Sequence, residues 1–595
     1  MIQKKSDFLF EVSWEVCNKV GGIFTVIKSK AARTVDYYKD NYYLIGPYFV
    51  DKAMGEFQEE LPCIELKNIF DELKNDQIIC HCGKWLIEGN PFVILIDFTG
   101  FKSRINKIKK DLWETYKIDS MNIPPDFDEP VIWAYAAGKL IEKLANLYTN
   151  KKICAQFHEW LAGPGLLYLK KNNIKIATVF TTHATILGRT LAGNNINPCL
   201  IPDKIDPDTE AMKHGIQSKY QVEKKSAENT DIFTTVSEIT AIEAECLLGR
   251  KPEVLLLNGL DTSKFPSFED RSIKHRLYKN KIKEFLMYYF FPYYTFDLEN
   301  TLIYFLAGRY EFHAKGMDIL IKALGKLNQK LKDEKSKITV VTFLWVPAAI
   351  RGMKPELIES RILFQDIKDS LKEEMDDVER NILSGLISKR KLNQASLFDK
   401  DFINEIKKKI TKFKKQQNPK LVTHDLINED DIILKSLIEN QLNNTESDRV
   451  KVIYYPIYLN GADGLLDLDY YEAMTGSQLG IFPSFYEPWG YTPLEAGALG
   501  VASVTTDLAG FGRYITSKLR ETEPGVFVIK RFNKKDEEAV NELVDVLYLY
   551  TTYSKEQRIT NKIEARRLAS LADWKNFIEN YINAQNLAIE KVYQK

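Results

Sequence analysis

Two cations stand close together in residues 308–316, where a short apolar run ends and a helical pattern begins. Arg309 can bind two phosphate oxygens with its forked guanidinium group, while Lys315 acts as a point charge. Transfer of a sugar from a nucleoside diphosphate leaves a diphosphate that gains negative charge as the glycosidic bond breaks. Cations held beside it stabilise that charge without a metal ion. The pair therefore predicts a nucleotide-sugar site, with two ordinary surface cations as the alternative.

A proline-rich loop further along the chain carries two carboxylates. Glu487 lies on the loop, and Glu495 lies on a helix that we predict to begin at Pro493, because proline suits the first helical turn. The backbone N–H groups near Tyr491 and Thr492 would then bind phosphate through hydrogen bonds and the helix dipole. We expect one carboxylate to face the reacting sugar and the other the donor ribose. An ordinary surface loop is the alternative.

Glycines and histidines mark three further strand ends. Gly21 and Gly22, with Lys19 before them, follow the first apolar run, and glycines let a backbone approach a ligand closely. No Gly-Lys-Ser/Thr follows, so the segment is not a P-loop. His158 and His183 each follow a later apolar run. A lone histidine is usually structural, but two at matching strand ends favour a shared site.

Short apolar runs that alternate with helical patterns must position these residues. In the first half such runs occupy residues 8–14, 42–47, 92–97, 153–157, 176–181 and 232–236. After an irregular join near residues 260–300 they resume at 302–307, 338–345, 450–455, 479–483 and 501–505, with a helix at 317–327. This alternation indicates an α/β fold with parallel, doubly wound sheets. Two such sheets facing each other form a cleft lined by the carboxyl ends of their strands.

The length of the chain predicts two large domains. It has 595 residues, 45% of them apolar, and single cores stop growing near about 250–300 residues. We assign residues 1–267 to an N-terminal Rossmann-like domain and 268–573 to a C-terminal one. Residues 574–595 form a last helix that packs back on the N-terminal domain.

A charged segment at residues 355–447 interrupts the C-terminal domain. We predict that it is helical, with one helix at 368–389 and another at 401–416. Its basic run at 407–415 is typical of a solvated helix face, with a partner surface as the alternative.

Composition excludes several classes of protein. Lys+Arg and Asp+Glu both total 82, so the chain lacks the basic excess typical of nucleic-acid binding. No apolar run reaches the roughly 18 residues of a membrane span, and the first ten residues lack a signal-peptide pattern. Seven cysteines, an odd number, indicate a reduced, cytoplasmic protein. Cys80-His81-Cys82 has no second ligand pair, so we expect buried cysteines and no metal there.

Six motifs, in order along the chain, resemble the animal and fungal type of glycogen synthase. They are residues 11–23 (EVSWEVCNKVGGI), 158–163 (HEWLAG), 182–185 (THAT), 233–244 (FTTVSEITAIEA), 308–312 (GRYEF) and 486–493 (YEPWGYTP). The similarity spans residues 8–593 and includes the helical insertion, which in that family builds a tetramer contact. Ordered motifs over nearly the whole chain make the resemblance specific.

The resemblance implies the GT-B arrangement, in which two Rossmann-like domains face each other across the active site. It implies UDP-glucose as donor, the non-reducing end of an α-1,4-glucan such as glycogen as acceptor, and no metal or other cofactor. A homo-tetramer and a glycogenin-like primer are further implied partners, whereas nucleic acid and membrane are not.

The resemblance also assigns roles to residues. Arg309 and Lys315 hold the donor phosphates, and Glu487 lies by the anomeric carbon. Glu495 binds the ribose, and Tyr470 stacks on uracil. His183, Arg189, Lys19, Gly21 and Gly22 line the glucose site. The remaining substrate-binding candidates are His158, Asn258, Trp489, Gly490, Tyr491 and Thr492.

Retention of the donor's α configuration allows two mechanisms. Glu487 could attack and form a covalent glycosyl-enzyme. Alternatively, the acceptor hydroxyl attacks from the leaving-group face and gives its proton to the departing phosphate. We favour the second, because no second carboxylate is evident for a retaining pair. A glucosyl-Glu487 adduct that is trapped and turns over would contradict it.

The sequence departs from the family at its ends and in one helix. The family's phosphorylated terminal extensions have no counterpart, so we do not expect regulation by tail phosphorylation. The six arginines that bind glucose-6-phosphate in eukaryotic members fall on Lys555, Glu556, Arg558, Lys562, Glu564 and Arg567. A carboxylate at a phosphate site adds repulsion. We therefore expect weak or no activation by glucose-6-phosphate, with Arg558, Lys562 and Arg567 as a weak regulatory set.

A smaller departure is Leu257, which stands before Asn258 where the family usually has proline. We expect little consequence.

Three other functions remain open. An ADP-glucose donor, as in bacterial and plant starch-type synthases, is opposed by the motif at 486–493 and by the insertion. A glucan phosphorylase would need pyridoxal phosphate on a lysine, and we find no matching segment. A non-catalytic glucan-binding scaffold is opposed by the complete set of Arg309, Lys315, Glu487, Glu495 and His183.

Overall fold

Two sheets with helices on both faces form the framework of the chain. The computed structural model describes residues 2–120, 125–197, 199, 205–266, 268–520 and 524–594. The strands are β1 (Phe8–Val12), β2 (Tyr42–Pro47), β3 (Phe57–Glu59), β4 (Ile79–Trp85), β5 (Phe92–Asp97), β6 (Ile153–His158), β7 (Ala177–Thr182), β8 (Ile232–Thr235), β9 (Val254–Leu255), β10 (Thr301–Ala307), β11 (Thr339–Trp345), β12 (Ile350–Met353), β13 (His424–Leu426), β14 (Val450–Tyr455), β15 (Leu479–Ile481), β16 (Ala502–Thr506) and β17 (Val526–Ile529).

The helices connect these strands and cover the sheets. They are α1 (Gly22–Tyr38), α2 (Val50–Ala53), α3 (Ile64–Lys74), α4 (Ile105–Tyr116), α5 (Pro125–Leu147), α6 (Glu159–Lys171), α7 (Ile186–Gly193), α8 (Pro207–Lys213), α9 (Gln217–Asn229), α10 (Glu238–Leu248), α11 (Phe268–Phe290), α12 (Met317–Asp333), α13 (Pro355–Glu373), α14 (Met375–Ile387), α15 (Gln394–Leu397), α16 (Lys400–Phe413), α17 (Ile432–Glu439), α18 (Tyr470–Gly476), α19 (Tyr491–Ala498), α20 (Gly510–Thr516), α21 (Asp536–Thr552), α22 (Lys555–Leu571) and α23 (Trp574–Tyr593). Among the described residues, no helix combines the length and apolar character needed to cross a membrane.

The first sheet has the strand order β3-β4-β5-β2-β1-β6-β7-β8-β9. From β5 to β9 it is parallel, while β3 and β4 add an antiparallel edge. Its inner strands are buried along their whole length because helices cover both faces. Since the strands are parallel, the loops after β1, β6 and β7 meet at one edge, as the sequence predicts.

The second sheet has the order β14-β11-β10-β15-β16-β17, and all its strands are parallel. Helices α12 and α21 pack on one face, and α11 and α18 on the other. The carboxyl ends of β10 and β15 lead into the two segments with the predicted catalytic residues. A separate antiparallel pair, β12 and β13, brackets the helical insertion.

The last helix, α23, lies against strands β6, β7 and β8 and helix α1. Trp574 Nε1 donates a hydrogen bond to Ser29 Oγ at 2.8 Å, and Tyr38 OH donates one to Gln585 Oε1 at 2.8 Å. The C-terminal residues of the chain thus complete the apolar face of the first sheet.

The predicted strands agree with the structure within two residues at each end, but two other predictions are wrong. The segment near 260–300 is not irregular, because it contains the long helix α11, whose buried face includes Ile282, Phe285 and Tyr289. The helix predicted at 368–389 is two helices, α13 and α14, which meet at Glu374. We also missed β4, where Cys82 is buried and Cys80 is partly buried.

Candidate active site

A cavity of about 440 Å³ opens between the carboxyl ends of the two sheets. From the first half of the chain it is lined by Arg189, Ala192, Gly193 and Asn195. From the second half it is lined by Arg309, Tyr310, Glu311, Phe312, His313, Ala314, Lys315, Ile432, Tyr486, Glu487 and Pro488. The predicted catalytic residues Arg309, Lys315 and Glu487 therefore share one cavity with Arg189.

An ion pair lies at the base of this cavity. Lys315 Nζ is 2.6 Å from Glu487 Oε2, and both side chains are about one-fifth exposed (18% and 21%). The loop before α12 positions Lys315 through Gly316, which has φ +70° and lies so close to the next loop that a Cβ would be 1.9 Å from the Pro483 carbonyl oxygen. Only glycine fits there.

Arg309 lies at the open side of the same cavity. Its side chain is 66% exposed, and its guanidinium pairs with Glu311 at 2.9 Å. An incoming anion can therefore reach Arg309 from solvent and replace Glu311 as the partner of its guanidinium group. As the sequence predicts, Arg309 and Lys315 lie on the same loop, between β10 and α12.

Helix α19 begins at Tyr491, and not at Pro493 as we predict from the sequence. Gly490 is its N-cap with φ +103°, a left-handed conformation that turns the chain directly into the helix. Pro493 is then the third helical residue, where no intrahelical N–H donor is needed. The helix N-terminus, with Thr492 and Pro493, lies against a small cavity that Lys315 and Glu487 also line.

Glu495 is a carboxylate on α19 that two tyrosine hydroxyls contact. Tyr471 OH donates a hydrogen bond to Glu495 Oε1 at 3.0 Å, and the Tyr470 hydroxyl contacts both Glu495 and Thr492. Burial raises the pKa of Glu495 to about 7, although the two tyrosine hydroxyls lower it. Tyr471 also lines a separate cavity of about 480 Å³ between α1, α11 and α18.

His158 and His183 contact each other, as their matching strand ends suggest. His158 Nδ1 lies 2.9 Å from His183 Nε2, and His158 Nε2 lies 2.7 Å from Glu11 Oε1. Burial and the adjacent His158 lower the pKa of His183 well below its usual value. The neutral imidazole of His183 is thus fixed in orientation by a buried chain of hydrogen bonds.

A buried ion pair fixes Glu11, the carboxylate that contacts His158. Lys30 Nζ lies 2.6 Å from Glu11 Oε2, with both side chains 1% exposed or less. Tyr42 OH donates a further hydrogen bond to the same oxygen. Burial alone would raise the pKa of Glu11, but Lys30 and His158 outweigh it and hold the pKa well below its usual value.

Three more buried carboxylates hold the loop at residues 182–186, and sequence reasoning missed them. Glu159 accepts from His183 N at 2.9 Å, Glu223 from Ile186 N at 2.8 Å, and Glu243 from Thr185 N at 2.9 Å. Burial raises their pKa values to about 7, 8 and 7 respectively. Glu159 and Glu243 lie inside the motifs HEWLAG and FTTVSEITAIEA, which was the available signal. No motif contains Glu223.

Comparison with known proteins decides the family. A family model described as glycogen synthase matches residues 11–595. The chain belongs to the glycogen synthase family. The liver glycogen (starch) synthase of Mus musculus is 37% identical over 588 residues, which is 98% of this chain and 84% of that protein. Isoform 2 of Saccharomyces cerevisiae is 37% identical over 619 residues, 99% of this chain and 87% of that protein.

A relative from Dictyostelium discoideum, also a glycogen (starch) synthase, is 37% identical and covers 98% of this chain and 67% of its own length. Among solved structures, the catalytic domain of Arabidopsis thaliana starch synthase IV bound to ADP and acarbose has a TM-score of 0.52 at 13% identity, covering 98% of this chain and 100% of that one. The family and the GT-B fold predicted from the sequence are confirmed.

Other predicted residues of this glycogen synthase family member lie outside the lining of this cavity. Lys19 and Gly21 lie on an exposed loop between β1 and α1, and Gly22, also exposed, is the first residue of α1. Glu15 Oε2 fixes this loop by accepting from Gly21 N at 2.7 Å and Phe24 N at 2.9 Å. The loop is therefore held by a carboxylate while its outer side stays open.

Trp489 and Asn258, both predicted substrate-binding residues, are buried. Trp489 is 3% exposed and packs against Phe511, Tyr514 and Phe577, so its ring anchors the loop, and its role in substrate binding stays a prediction. Asn258 is 4% exposed. The neighbouring Gly259 carbonyl accepts from Tyr491 OH at 3.3 Å, which joins the two halves of the chain.

The regulatory cations predicted on α22 differ in their surroundings. Arg567 Nε lies 2.9 Å from both oxygens of Glu564, which is 2% exposed. Lys562 Nζ lies 3.2 Å from His275 Nε2 on α11. Arg558 has one buried guanidinium nitrogen without a hydrogen-bond partner among the described residues. The Glu564 carboxylate thus neutralises Arg567 within the protein.

Within the described part of the chain, one group of side chains has metal-like spacing: His313, Asp318 and Asp536. Arg531, itself 2% exposed, donates to Asp536 Oδ1 at 2.9 Å, and its charge also acts on Asp318. His313 Nδ1 is 2.8 Å from Asp318 Oδ2. These contacts already provide the carboxylates with cationic and polar partners, so we assign no metal to them.

Proposed function

We propose that this protein transfers glucose from UDP-glucose to the non-reducing end of an α-1,4-glucan, with retention of the α configuration. The observation that carries the proposal is the Lys315–Glu487 ion pair of 2.6 Å in the cavity between the two sheets, beside the N-terminus of α19. Membership of the glycogen synthase family supports the same reaction.

In this proposal the second half of the chain binds the donor. Arg309 and Lys315 bind the diphosphate, together with the backbone N–H groups of Tyr491 and Thr492 at the start of α19. Glu495 accepts hydrogen bonds from the ribose hydroxyls. Tyr470, whose hydroxyl contacts Glu495, stacks on uracil.

The first half presents the glucose side of the cleft. Arg189 lines the cavity opposite Arg309. His183 is fixed by His158, and the Lys19–Gly21–Gly22 loop by Glu15. We propose that these groups bind glucose hydroxyls and orient C1 toward the acceptor.

The reaction breaks the bond between C1 and the phosphate oxygen and forms the bond between C1 and the acceptor O4. The acceptor attacks from the leaving-group face, and its hydroxyl proton passes to the departing phosphate. Glu487, held by Lys315, stabilises positive charge at C1, while the cations stabilise the leaving diphosphate. At about 4 Å and an effective dielectric constant of 20, each cation–phosphate attraction is roughly 4 kcal/mol before desolvation. No metal or other cofactor takes part in this scheme.

The experiment compares two lysine variants in an assay of labelled glucose transfer that contains EDTA. Lys315→Met removes the cation in the cavity, and Lys322→Met removes an exposed cation from helix α12, which follows Lys315. We expect a loss of kcat of at least about a hundredfold for Lys315→Met, with Lys322→Met close to wild type. Equal activities of the two variants would contradict the assigned role of Lys315.

We further propose a homo-tetramer formed through the helical insertion. Helices α13 and α14 expose Ile362, Leu383, Leu386 and Ile387, which are 62%, 52%, 63% and 83% exposed. Burial of this apolar surface against another copy would stabilise an assembly. Sedimentation velocity should give a tetramer for the wild type and smaller species for Leu383→Glu/Ile387→Glu. A wild-type monomer would contradict the proposal.

Two further proposals concern the cell compartment and the primer, and they rest on the family and on the composition of the chain. We propose that the protein works in the cytoplasm and extends a glycogenin-like primer. Fractionation of the source cells tests the first. The second predicts that glucan-free enzyme starts no new chain until a glucosylated primer protein is added, and unprimed synthesis would contradict it.

A further inference from the structure

A hydrogen bond crosses the cleft beside Glu487. Tyr486, which lines the cavity from the second half of the chain, donates its hydroxyl proton to Glu243 Oε1 at 3.1 Å. Glu243 lies on α10 in the first half and is 2% exposed. A buried carboxylate oxygen is a strong acceptor, because little water competes for it.

On its own side of the cleft, Glu243 fixes the wall that carries Arg189. Its Oε1 accepts from Thr185 N at 2.9 Å and from Thr185 Oγ1 at 2.7 Å. Thr185 is the N-cap of α7 and accepts from Gly188 N at 2.9 Å. Gly188 makes the approach possible, since a Cβ there would lie 2.4 Å from Glu243 Oε1. Arg189 follows directly on α7 and lines the cavity.

On the opposite side, Tyr486 belongs to the wall that carries the ion pair. The Ala314 carbonyl accepts from Phe485 N at 2.9 Å and from Tyr486 N at 3.2 Å. Ala314 directly precedes Lys315, and Tyr486 directly precedes Glu487. One tyrosine hydroxyl therefore connects the Lys315–Glu487 pair to the helix that carries Arg189.

Other contacts also join the two halves. Asn197 Nδ2 donates to the Phe485 carbonyl at 3.1 Å, a second buried contact between the same walls. Arg513 pairs with Glu238 at 3.0 Å, but Glu238 is 63% exposed, so water screens this pair. The Tyr486–Glu243 contact differs in joining the residue next to Glu487 to the carboxylate that fixes Thr185, the N-cap of α7.

We infer that Glu243 and Tyr486 are positioning residues for the transfer reaction: their hydrogen bond sets the cleft at the separation at which Arg189 and the Lys315–Glu487 pair act on the same sugar. This inference rests on the proposed function. Neither residue reacts with the sugar. Loss of the bond leaves the donor-binding groups of the second half intact but lets the two walls separate, so it lowers kcat more than it weakens UDP binding.

The test is a double-mutant cycle of Tyr486→Phe and Glu243→Gln, with kcat, the Kd for UDP and the thermal midpoint measured for each protein. We expect kcat to fall about tenfold in Tyr486→Phe, since the loss of one buried hydrogen bond costs on that scale. The Kd for UDP should stay within about twofold. The double variant should lose no more kcat than the less active single variant, because both changes act on the same bond.

Tyr514→Phe is the matched control, because its hydroxyl donates to the Leu571 carbonyl at 3.3 Å within the second half; it should keep wild-type kcat. Unchanged kcat in Tyr486→Phe, or additive losses in the double variant, would overturn the inference. If Glu243→Gln does not fold, Tyr486→Phe alone decides, since it keeps the bonds between Glu243 and Thr185. Inactivity of the wild type would instead overturn the proposed function.

Discussion

Lys315 and Glu487, which are separated by most of the second half of the sequence, form a 2.6 Å ion pair at the base of the cleft. The loop after β10 supplies the lysine and the loop after β15 the glutamate, and these strands are hydrogen-bonded neighbours in the parallel sheet. The pair therefore results from sheet topology. In the proposed reaction, its cation acts on the leaving diphosphate and its carboxylate on the positive charge at C1.

Replacement of Gly316 tests how tightly that pair is positioned. Gly316→Ala should lower the free energy of unfolding by about 2–4 kcal/mol, because the Cβ would overlap the Pro483 carbonyl and the backbone has φ +70°. Activity should fall as well, since Lys315 is adjacent. Urea unfolding and kcat measure both effects. Gly352→Ala, where nothing lies within 4 Å of the added Cβ, should leave both close to wild type. Equal stability of the two variants would contradict the close packing at Gly316.

The buried pair of Lys30 and Glu11 predicts a different stability effect. Lys30→Met leaves the Glu11 charge buried and should cost about 3–5 kcal/mol of unfolding free energy. Lys30→Met/Glu11→Gln should recover part of this loss. The depressed pKa of Glu11 contributes stability above its unfolded pKa, and this contribution is lost as pH falls. Chemical unfolding from pH 6 to pH 3 should therefore show a steeper loss of stability below about pH 4.5 in the wild type than in the double variant. Parallel pH profiles of the two proteins would contradict this stabilising role of the Lys30–Glu11 pair.

Glu495 predicts a pH dependence of donor binding. Burial raises its pKa to about 7, and only the ionised form accepts hydrogen bonds from both ribose hydroxyls. UDP affinity should therefore increase as pH rises through about 7, and Glu495→Gln should remove this increase. Tyr471→Phe removes a hydrogen bond that lowers the pKa, so it should move the midpoint upward. Calorimetric titration with UDP at several pH values checks all three proteins; a wild-type affinity that is flat between pH 6 and 8 would contradict the assignment.

The same residue has a linked effect on stability. Because its pKa in the folded protein exceeds the ordinary value of 4.5, Glu495 contributes stability at low pH that is lost as pH rises through about 7. The stability of Glu495→Gln should not show this decline with rising pH, because glutamine does not titrate. Thermal midpoints of wild type and variant, measured from pH 5 to pH 8, should converge at low pH and separate at high pH, with the variant higher.

Helix α22 predicts weak regulation by glucose-6-phosphate. Arg567 is paired with the buried Glu564, and Glu556 adds a second negative charge to the helix, so a phosphate meets repulsion as well as attraction. Activation by millimolar glucose-6-phosphate should stay well below tenfold, the change that about 1.4 kcal/mol of coupling would give. Initial rates with and without the sugar phosphate measure it, with inorganic phosphate as the control ligand. Many-fold activation by glucose-6-phosphate alone would contradict the prediction.

Much of the fold could be predicted because apolar runs bounded by polar residues specify buried parallel strands. Strands β2, β5 and β14 begin and end at the predicted residues. Helix α11 was missed because its aromatic residues obscure the helical period. Strand β4 was missed because Cys80-His81-Cys82 interrupts its apolar pattern, although buried cysteines were predicted there.

The site was predictable where chemistry needs an unusual residue pattern, and not where tertiary packing decides. Arg309, Lys315 and Glu487 were found because cations and a carboxylate follow strand ends. Glu223 was not found, because its burial depends on the packing of α9 against α6, which sequence does not display. The burial of the Trp489 ring was not predicted either, because a motif tryptophan that anchors a loop looks the same in sequence as one that contacts a sugar.

The most direct test of the account is transfer of labelled glucose from UDP-glucose to glycogen by the wild-type protein, in EDTA, with ADP-glucose as the competing donor. We expect glucose incorporation into the non-reducing ends of glycogen, release of UDP, and little use of ADP-glucose. No incorporation from UDP-glucose, with glycogen and a glucosylated primer both supplied, would contradict the proposed function.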